Sequence, residues 1–382
     1  MSLDSLPFEV FRDIASPLSK RDLRVLSLVN KKLLPFAQTL LFETVSLTLS
    51  ASWFKEYDTS RDIDARPKWK RDCFFRTLSS LPSFASSISS LTLRIDPVTF
   101  NGSPRVSLTT SLLQTATSLR HLHLDGFYSG KGTLPSEVID AVPSNLRSLE
   151  LGPLVIDQAG LEKILKRQTS LESLDLSRAC LVGQQTISND ILLSNKLAHL
   201  RIPHTDADWS PFFHSVVLEA SKSLKSFDGP FVSVRTLSTT DFPILARMSL
   251  VSGVENCRGV CVRSAFQSEP QPFFRDLRLT LSKTPQLEHL DIQIEYCSNF
   301  QMQPTTDNSL FDLMPRSIRH LTFRSPYLFP HSALFRFLAS TSASVNLNYL
   351  GLCFWQGEEA MRQQVEELCE MRGIHLDSLR YP

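Results

Sequence analysis

A chain of 382 residues, 42% hydrophobic and 21% charged, has the make-up of a globular protein. Forty Lys and Arg against 39 Asp and Glu leave a net charge of +1, which argues against bulk nucleic acid or an acidic membrane as the main partner. No apolar run reaches the about 18 residues that a bilayer-spanning helix needs.

The chain opens Met1-Ser2-Leu3-Asp4, acidic where a signal peptide would be basic. The expectation is a soluble protein of the cytoplasm, the nucleus or both. Seven cysteines, an odd number scattered along the chain, fit reduced thiols better than a disulfide framework.

Pro7 can open a first helix, because its missing N–H would be unpaired there anyway. Glu9 then sits in the first turn, where the helix dipole favours a negative charge. Val10, Phe11, Ile14 and Leu18 follow at helical spacing, and Pro17 should end or bend the helix. Ser19 and Asp22 form a start signal for a second helix. In it Leu23, Leu26, Val29 and Leu33 make one apolar stripe, with Leu28 off the stripe. Pro35 opens a third short helix through Ala37, Leu40, Leu41 and Phe42. Three helices in about 40 residues lie at the limit of what folds alone. They carry aliphatic residues on more than one face, so some must bury against the rest of the chain or against a partner.

Leu6-Pro7-x-Glu9-Val10, then Ile14, Leu18, Asp22-Leu23, Leu26, Leu28-Val29-Asn30-Lys31 and Leu41-Phe42, resemble an F-box in order and spacing over residues 5–45. The resemblance implies binding to the small Skp-type adaptor and, through it, to a cullin scaffold. Carried over by position, Leu6, Pro7, Ile14, Leu18, Leu26 and Val29 would form the adaptor face or its support. Many members carry a tryptophan where this chain has Leu33.

Residues 43–49 alternate apolar and polar and read as a strand. Residues 51–73 are charged and without period; the basic cluster Arg66-Pro67-Lys68-Trp69-Lys70-Arg71 reads as a solvated loop rather than an import or nucleic-acid patch. From residue 88 one pattern recurs, apolar-x-x-apolar-x-apolar. It begins Ile88-Leu91-Leu93, Leu119-Leu122-Leu124, Leu146-Leu149-Leu151, Leu171-Leu174-Leu176 and Leu197-Leu200-Ile202. A weak copy has Leu224 and Phe227, and Leu245-Met248-Leu250 follows. Leu287-Leu290-Ile292, Ile318-Leu321-Phe323 and Leu347-Leu350-Leu352 continue it, with a last copy read at Leu376-Leu379-Tyr381. The spacings from 88 are 31, 27, 25, 26 and 27 residues, and later 31 and 29. Such regularity marks a stacked repeat. The period breaks across 251–286, which holds either a longer loop or a hidden copy. Helix-compatible stretches lie between the strands at 161–165, 211–219, 332–338 and 358–371.

Copies such as Leu171-Glu172-Ser173-Leu174-Asp175-Leu176 resemble degenerate leucine-rich repeats, as in fungal F-box proteins. The expected fold class is therefore α/β: a three-helix F-box at 1–45, a connecting strand, charged insert and first helix at 46–87, and a solenoid of about ten repeats at 88–382. Parallel strands would line its concave face and helices its convex face.

Strand side chains alternate, so the residues between the leucines should face outward. That wall would carry His121, His123, Asp125, Glu150, Asp175, His199, Arg201 and Asp228. It would continue through Arg247, His289, Asp291, His320, Arg324 and Tyr349, as a polar surface suited to a protein substrate of unknown identity. His121, His199, His289 and His320 share one position but lie on separate copies, so they should not converge on a metal ion. Cys257-x-x-x-Cys261 lacks a second ligand pair for zinc. No catalytic or phosphate-cradling motif is present, Gly is scarce at 13 residues, and no cofactor is expected. The resemblance thus implies a non-catalytic substrate receptor of a Skp–cullin–F-box ubiquitin ligase. A repeat scaffold acting outside degradation and an unrecognised hydrolase remain as alternatives.

Overall fold

The computed structural model describes residues 7–29, 31–49, 82–95, 104–126, 133–182, 196–203, 211–230, 233–252, 271–294, 311, 314–324, 331–340, 346–353 and 359–379. The chain divides into two compact units. The first comprises Met1–Leu171 with Arg178–Gly183, and the second Glu172–Ser177 with Gln184–Pro382. Both are α/β, and every strand pairing among the described residues is parallel.

The first unit begins with helices α1 (Phe8–Ala15), α2 (Lys20–Val29) and α3 (Leu34–Glu43). Pro7 caps α1 rather than entering it, and its carbonyl accepts the first helical bond from Phe11 N–H at 3.0 Å. The helix stops at Ser16, one residue before Pro17. The Ser19/Asp22 signal forms a reciprocal cap: Asp22 N–H donates to Ser19 Oγ (3.2 Å) and Ser19 N–H to Asp22 Oδ2 (3.3 Å). Phe11, Ala15, Leu23, Leu33 and Leu40 pack as a core, supported by Leu26, Phe36 and Leu41. Arg12 pairs with Glu43, tying the first helix to the end of the third. Helix α2 ends at Val29, so Leu33 of the predicted stripe falls at the N-cap of α3; Leu23 and Leu33 are buried, but Val29 stays 74% exposed.

Strands β1 (Thr44–Leu49), β2 (Ser90–Ile95), β3 (His121–Gly126) and β4 (Ser148–Leu151) form a parallel run in that order. Helices α4 (Pro82–Ser86), α5 (Pro104–Thr115) and α6 (Ser136–Ala141) connect them. Val45, Leu91, Leu122 and Leu149 align across the strands, as do Leu47, Leu93, Leu124 and Leu151. The run therefore begins at Thr44, ahead of the first copy counted at 88, and Phe42-Val45-Leu47 takes up the repeat pattern. Phe42 stacks on Phe84 of α4, 4.9 Å between ring centres. A small pair, β5 (Val155–Asp157) with β7 (Cys180–Val182), and helix α7 (Gln158–Arg167) complete the unit. Asp157 caps α7 by accepting Gly160 N–H at 2.8 Å. Buried Gln168 accepts Leu146 N–H (3.2 Å) and donates to Pro143 O (2.8 Å), so its amide is satisfied inside the core.

The second unit aligns β6 (Ser173–Asp175), β8 (His199–Arg201), β9 (Ser226–Pro230), β10 (Arg247–Ser252), β11 (His289–Ile294), β12 (His320–Arg324), β13 (Tyr349–Cys353) and β14 (His375–Leu379). Helices α8 (Pro211–Ala220), α9 (Ser233–Leu237), α10 (Gln271–Ser282), α11 (His331–Ala339) and α12 (Glu359–Arg372) lie between strands in sequence. A repeated backbone device joins successive strands from β6 to β13: one carbonyl accepts two successive N–H groups. Lys225 O takes Ala246 and Arg247, Ala246 O takes Glu288 and His289, and Glu288 O takes Arg319 and His320, all at 2.8–3.1 Å.

Three details correct the expected repeats. β10 pairs directly with β11, so no further strand comes between them in the sheet; β10 runs on to Ser252 and Gln271–Ser282 is helix α10, while 253–270 lie outside the described residues. The weak copy is a true strand, and Gly229 stands where its third apolar residue would be. The Phe227 ring fills that space, only 2.6 Å from where a Cβ would lie. The last copy is shifted by three: Leu376 aligns with Leu350 and Ser378 with Leu352, so Leu376 is the middle apolar position and not the first. Helix α12 ends at Gly373, whose φ of 67° suits a residue without Cβ, and Ile374 N–H closes back on Cys369 O at 2.9 Å.

Candidate functional site

Two surfaces carry the residues singled out by sequence. On the three-helix segment, Ile14, Leu18 and Val29 are exposed, Leu26 packs against the small core, and Pro7 caps α1 in solvent. Leu6 lies outside the described residues. Val10, Val25 and Leu28 are exposed as well, Leu28 to 85%. Sequence reasoning did not assign these three to the surface, although Leu28 stands off the buried stripe. Each apolar side chain of this size gains about 1.5–3 kcal/mol when fully buried, so an exposed set on a finished helical core is a surface ready for a partner.

On the strands the alternation holds. Leu122, Leu149, Leu200, Leu290 and Leu321 are buried, and the residues between the leucines face out. In the first unit Arg94 pairs with Asp125 (3.2 Å) and His123 with Glu150 (3.4 Å), while His121 is exposed beside them. In the second unit the register sets two outward rows. The first holds Ser173, His199, Ser226, Arg247, His289, His320, Tyr349 and His375. The second holds Asp175, Arg201, Asp228, Ser249, Asp291, Thr322, Gly351 and Asp377.

The second row is built of ion pairs between strands. Arg201 donates to Asp175 (2.9 Å) and to Asp228 (3.1 Å). Burial alone would lower the Arg201 pKa, but the two carboxylates outweigh it and raise it. Arg324, at the end of β12, donates to Asp291 Oδ2 at 3.3 Å. Burial pushes the Asp291 carboxyl above its ordinary value despite Arg324, and the charge on Asp228 adds to the rise. The other oxygen of Asp291 is buried with no hydrogen-bond partner.

The first row is a ladder of rings. His289 and His320 stack at 4.3 Å, His320 and Tyr349 at 5.4 Å, and Tyr349 lies 5.6 Å from His375. Tyr349 leans across Gly351, its ring 3.3 Å from where a Cβ would stand, and its hydroxyl donates to Asp377 at 2.8 Å. Burial and then that carboxylate raise the phenol pKa. Burial is also the main reason that the His289 pKa is lowered, followed by the positive charges of His320 and Arg247. Between the rows lies a depression of about 320 Å³, lined by Arg201, Asp228, Arg247, His289, Asp291, His320, Tyr349 and small hydroxyl residues.

So the structure brings Asp175, Arg201 and Asp228 together, likewise Asp291 with Arg324, and His289, His320 and Tyr349. It leaves His199 exposed on its strand, three strands from His289, and the first-unit residues form pairs of their own. His289 and His320, on neighbouring copies, stack on one another. Adjacent parallel strands in register place equivalent side chains one strand spacing apart. No group of three or more His, Cys, Asp or Glu placed to hold a metal occurs among the described residues. Cys257 and Cys261 lie outside them, as does the basic cluster at 66–71. His375 and Asp377 escape a sequence reading that sets the last copy three residues out of register; aligned on Leu350, His375 falls in the histidine position. No helix among the described residues is long and apolar enough to cross a membrane. Set against known protein families and curated proteins, the chain matches no family model and no curated sequence.

Proposed function

We propose that this chain is a non-catalytic substrate receptor of a Skp–cullin–F-box ubiquitin ligase. In this reading residues 1–45 are an F-box that binds the Skp-type adaptor and, through it, a cullin. The strands that follow are degenerate leucine-rich repeats, and their outward rows hold a protein substrate. Ubiquitin transfer belongs to other subunits; the receptor raises the local concentration of substrate lysines.

The observation that carries the reading is the set of aliphatic side chains left exposed on α1 and α2, on a segment whose own core is already formed. Leu28 and Val29 are 85% and 74% exposed, and Val10, Ile14, Leu18 and Val25 keep 39–53% of their surface in solvent. Their gain comes from an apolar partner surface. A polar sheet face whose depression is open to solvent fits a protein ligand better than a small substrate.

The test is a pull-down of the full chain with a purified Skp-type adaptor, beside a Leu28→Asp, Val29→Asp double variant. Both side chains are exposed, so the variant should keep the helical circular dichroism of the wild type. Adaptor retained by the wild type and lost by the variant supports the reading. A wild type that retains none removes the ubiquitin-ligase assignment and leaves a repeat scaffold. Adaptor binding without co-purifying cullin marks a receptor that acts outside degradation.

A further inference from the structure

One cation on the outward face of the second unit, Arg247, stands outside the ion pairs formed there among the described residues. Arg201 lies between Asp175 and Asp228, and Arg324 lies on Asp291. Arg247 has no carboxylate within ion-pair distance among the described residues. It aligns in register with His289 on the next strand, which aligns with His320 on the one after. The two imidazoles stack with 19° between their planes, so either proton gained meets the other ring's charge at short range.

The groups facing His289 are Arg247 from β10, His320 from β12, Arg319 just before that strand, and Glu288 beside it. Arg319 and Glu288 pair with each other at 3.9 Å, which leaves Arg247 and the imidazole of His320 as the groups that carry or can gain positive charge. On its own strand Asp291 lies two residues on, engaged by Arg324. His320 faces His289 on one side and the uncharged Tyr349 ring on the other. All three first-row groups line the 320 Å³ depression, next to Ser226 and Ser249. Adjacent like charges that face one another destabilise their own protonated forms, and an anion placed among them reverses the sign of that interaction. Serine hydroxyls beside them can donate to the same anion without adding charge.

We propose that Arg247, His289 and His320 form a recognition site for an anionic side chain, a carboxylate or a phosphate ester, of the protein held on this face. The inference rests on the outward face serving as the substrate surface, and it is independent of the F-box. Asp228 and Asp291, one row away, confine the anion to the first row and reject it from the second. Because the anion favours the imidazolium forms, binding takes up protons and tightens as pH falls through the histidine range.

The probe is a fluorescent hexaglutamate peptide, with hexaglutamine and hexalysine as controls, titrated against the full chain at low salt and followed by anisotropy. Hexaglutamate should bind about tenfold more tightly at about pH 6 than at about pH 7.5, where neutral histidine prevails. Arg247→Ala should weaken binding about tenfold at both pH values, the scale of one lost charge-assisted contact. His289→Gln with His320→Gln should remove the pH dependence while the residual affinity stays. The same peptide with one central phosphoserine separates the two anions: tighter binding names the phosphate ester, equal binding the carboxylate. Hexaglutamate that does not bind, or binds the variants as well as the wild type, overturns the proposal. Preferential binding of hexalysine overturns it too and gives the face to the aspartate row. The adaptor pull-down reads the F-box assignment alone, so the two proposals fail separately.

Discussion

The three-helix segment and the outward face of the second unit meet solvent in opposite ways. The helices present aliphatic side chains with nothing to pair, whereas the strands present ions and rings that are mostly engaged with each other. An exposed aliphatic set gains from any apolar surface of the right shape, since the hydrophobic effect is non-directional. A face of satisfied ion pairs gains only where a partner adds what is missing, because displacing an existing pair returns little net energy. The first surface therefore suits one constant partner bound through shape. The second suits selection by chemistry, and Arg247, outside the ion pairs among the described residues, is where selection can act.

The sharpest way to break this contrast is to truncate one apolar residue from each side of it. Phe323 is fully buried beneath β12, packed edge-on against Phe311 at 5.9 Å. Phe323→Ala should destabilise by about 3–5 kcal/mol, the usual effect of deleting a buried ring. Leu28→Ala, at an exposed position, should change stability by less than about 0.5 kcal/mol. Urea unfolding of both variants reads the difference. A large loss from Leu28→Ala would mean that the side chain packs within the chain, and the partner surface on α2 would disappear with it.

A smaller effect tests whether the ring ladder is positioned or merely adjacent. Gly351 leaves room for Tyr349 to lie over its strand; a Cβ added there would stand 3.2 Å from Thr322 Cγ2 and 3.3 Å from Leu379 Cδ1. Gly351→Val puts branched carbon into that space and should cost about 1–3 kcal/mol by overpacking. It should also lift the phenol away from Asp377, so the tyrosine titration moves back toward its ordinary value. An unchanged titration would separate the ring's placement from the glycine beneath it.

The same positions show what could be read in advance. The alternation of Leu290-Asp291-Ile292 states which side chains face out, because a period of two assigns faces without any knowledge of neighbours. The Ser19/Asp22 cap is equally local, and both were legible. Which outward residues meet was not, because that depends on register between strands some 30 residues apart. A three-residue error at Leu376 was enough to hide His375 and Asp377. The exposure of Val29 was hidden for a related reason: helical spacing puts it in line with Leu23 and Leu26, but α3 covers only part of that line. Gly229 has the look of a broken repeat in sequence, yet the Phe227 ring occupies its place.

On the helical side, Ser19→Ala removes the hydroxyl that accepts Asp22 N–H and also donates to Asp22 Oδ2 at 2.6 Å. The expected loss is about 1 kcal/mol, the typical value for an N-cap. Its reading sharpens the comparison, because the exposed residues of α2 depend on that helix holding its length. If the loss is as expected and adaptor binding weakens with it, α2 presents the face as a rigid unit. Adaptor binding that is indifferent to the cap places the contact on α1 instead.

The smallest effect lies in the ring ladder and is one of pH. His289 titrates below the ordinary imidazole value of 6.5 because burial, His320 and Arg247 all disfavour its charged form. The unfolded chain therefore binds more protons than the folded one in the window just below 6.5, and stability rises with pH there. The contribution is fully present above that value and is lost as pH falls through the lower folded pKa. His289→Gln should flatten the slope of stability against pH between about pH 5 and about pH 7, with little change above it. A slope that survives the substitution would move the titration to another group. An acidic peptide bound at Arg247 should flatten the same slope in the wild type, because it returns to His289 the proton affinity that its neighbours remove. One titration curve thus reads both the ladder's own electrostatics and the anion that would complete it.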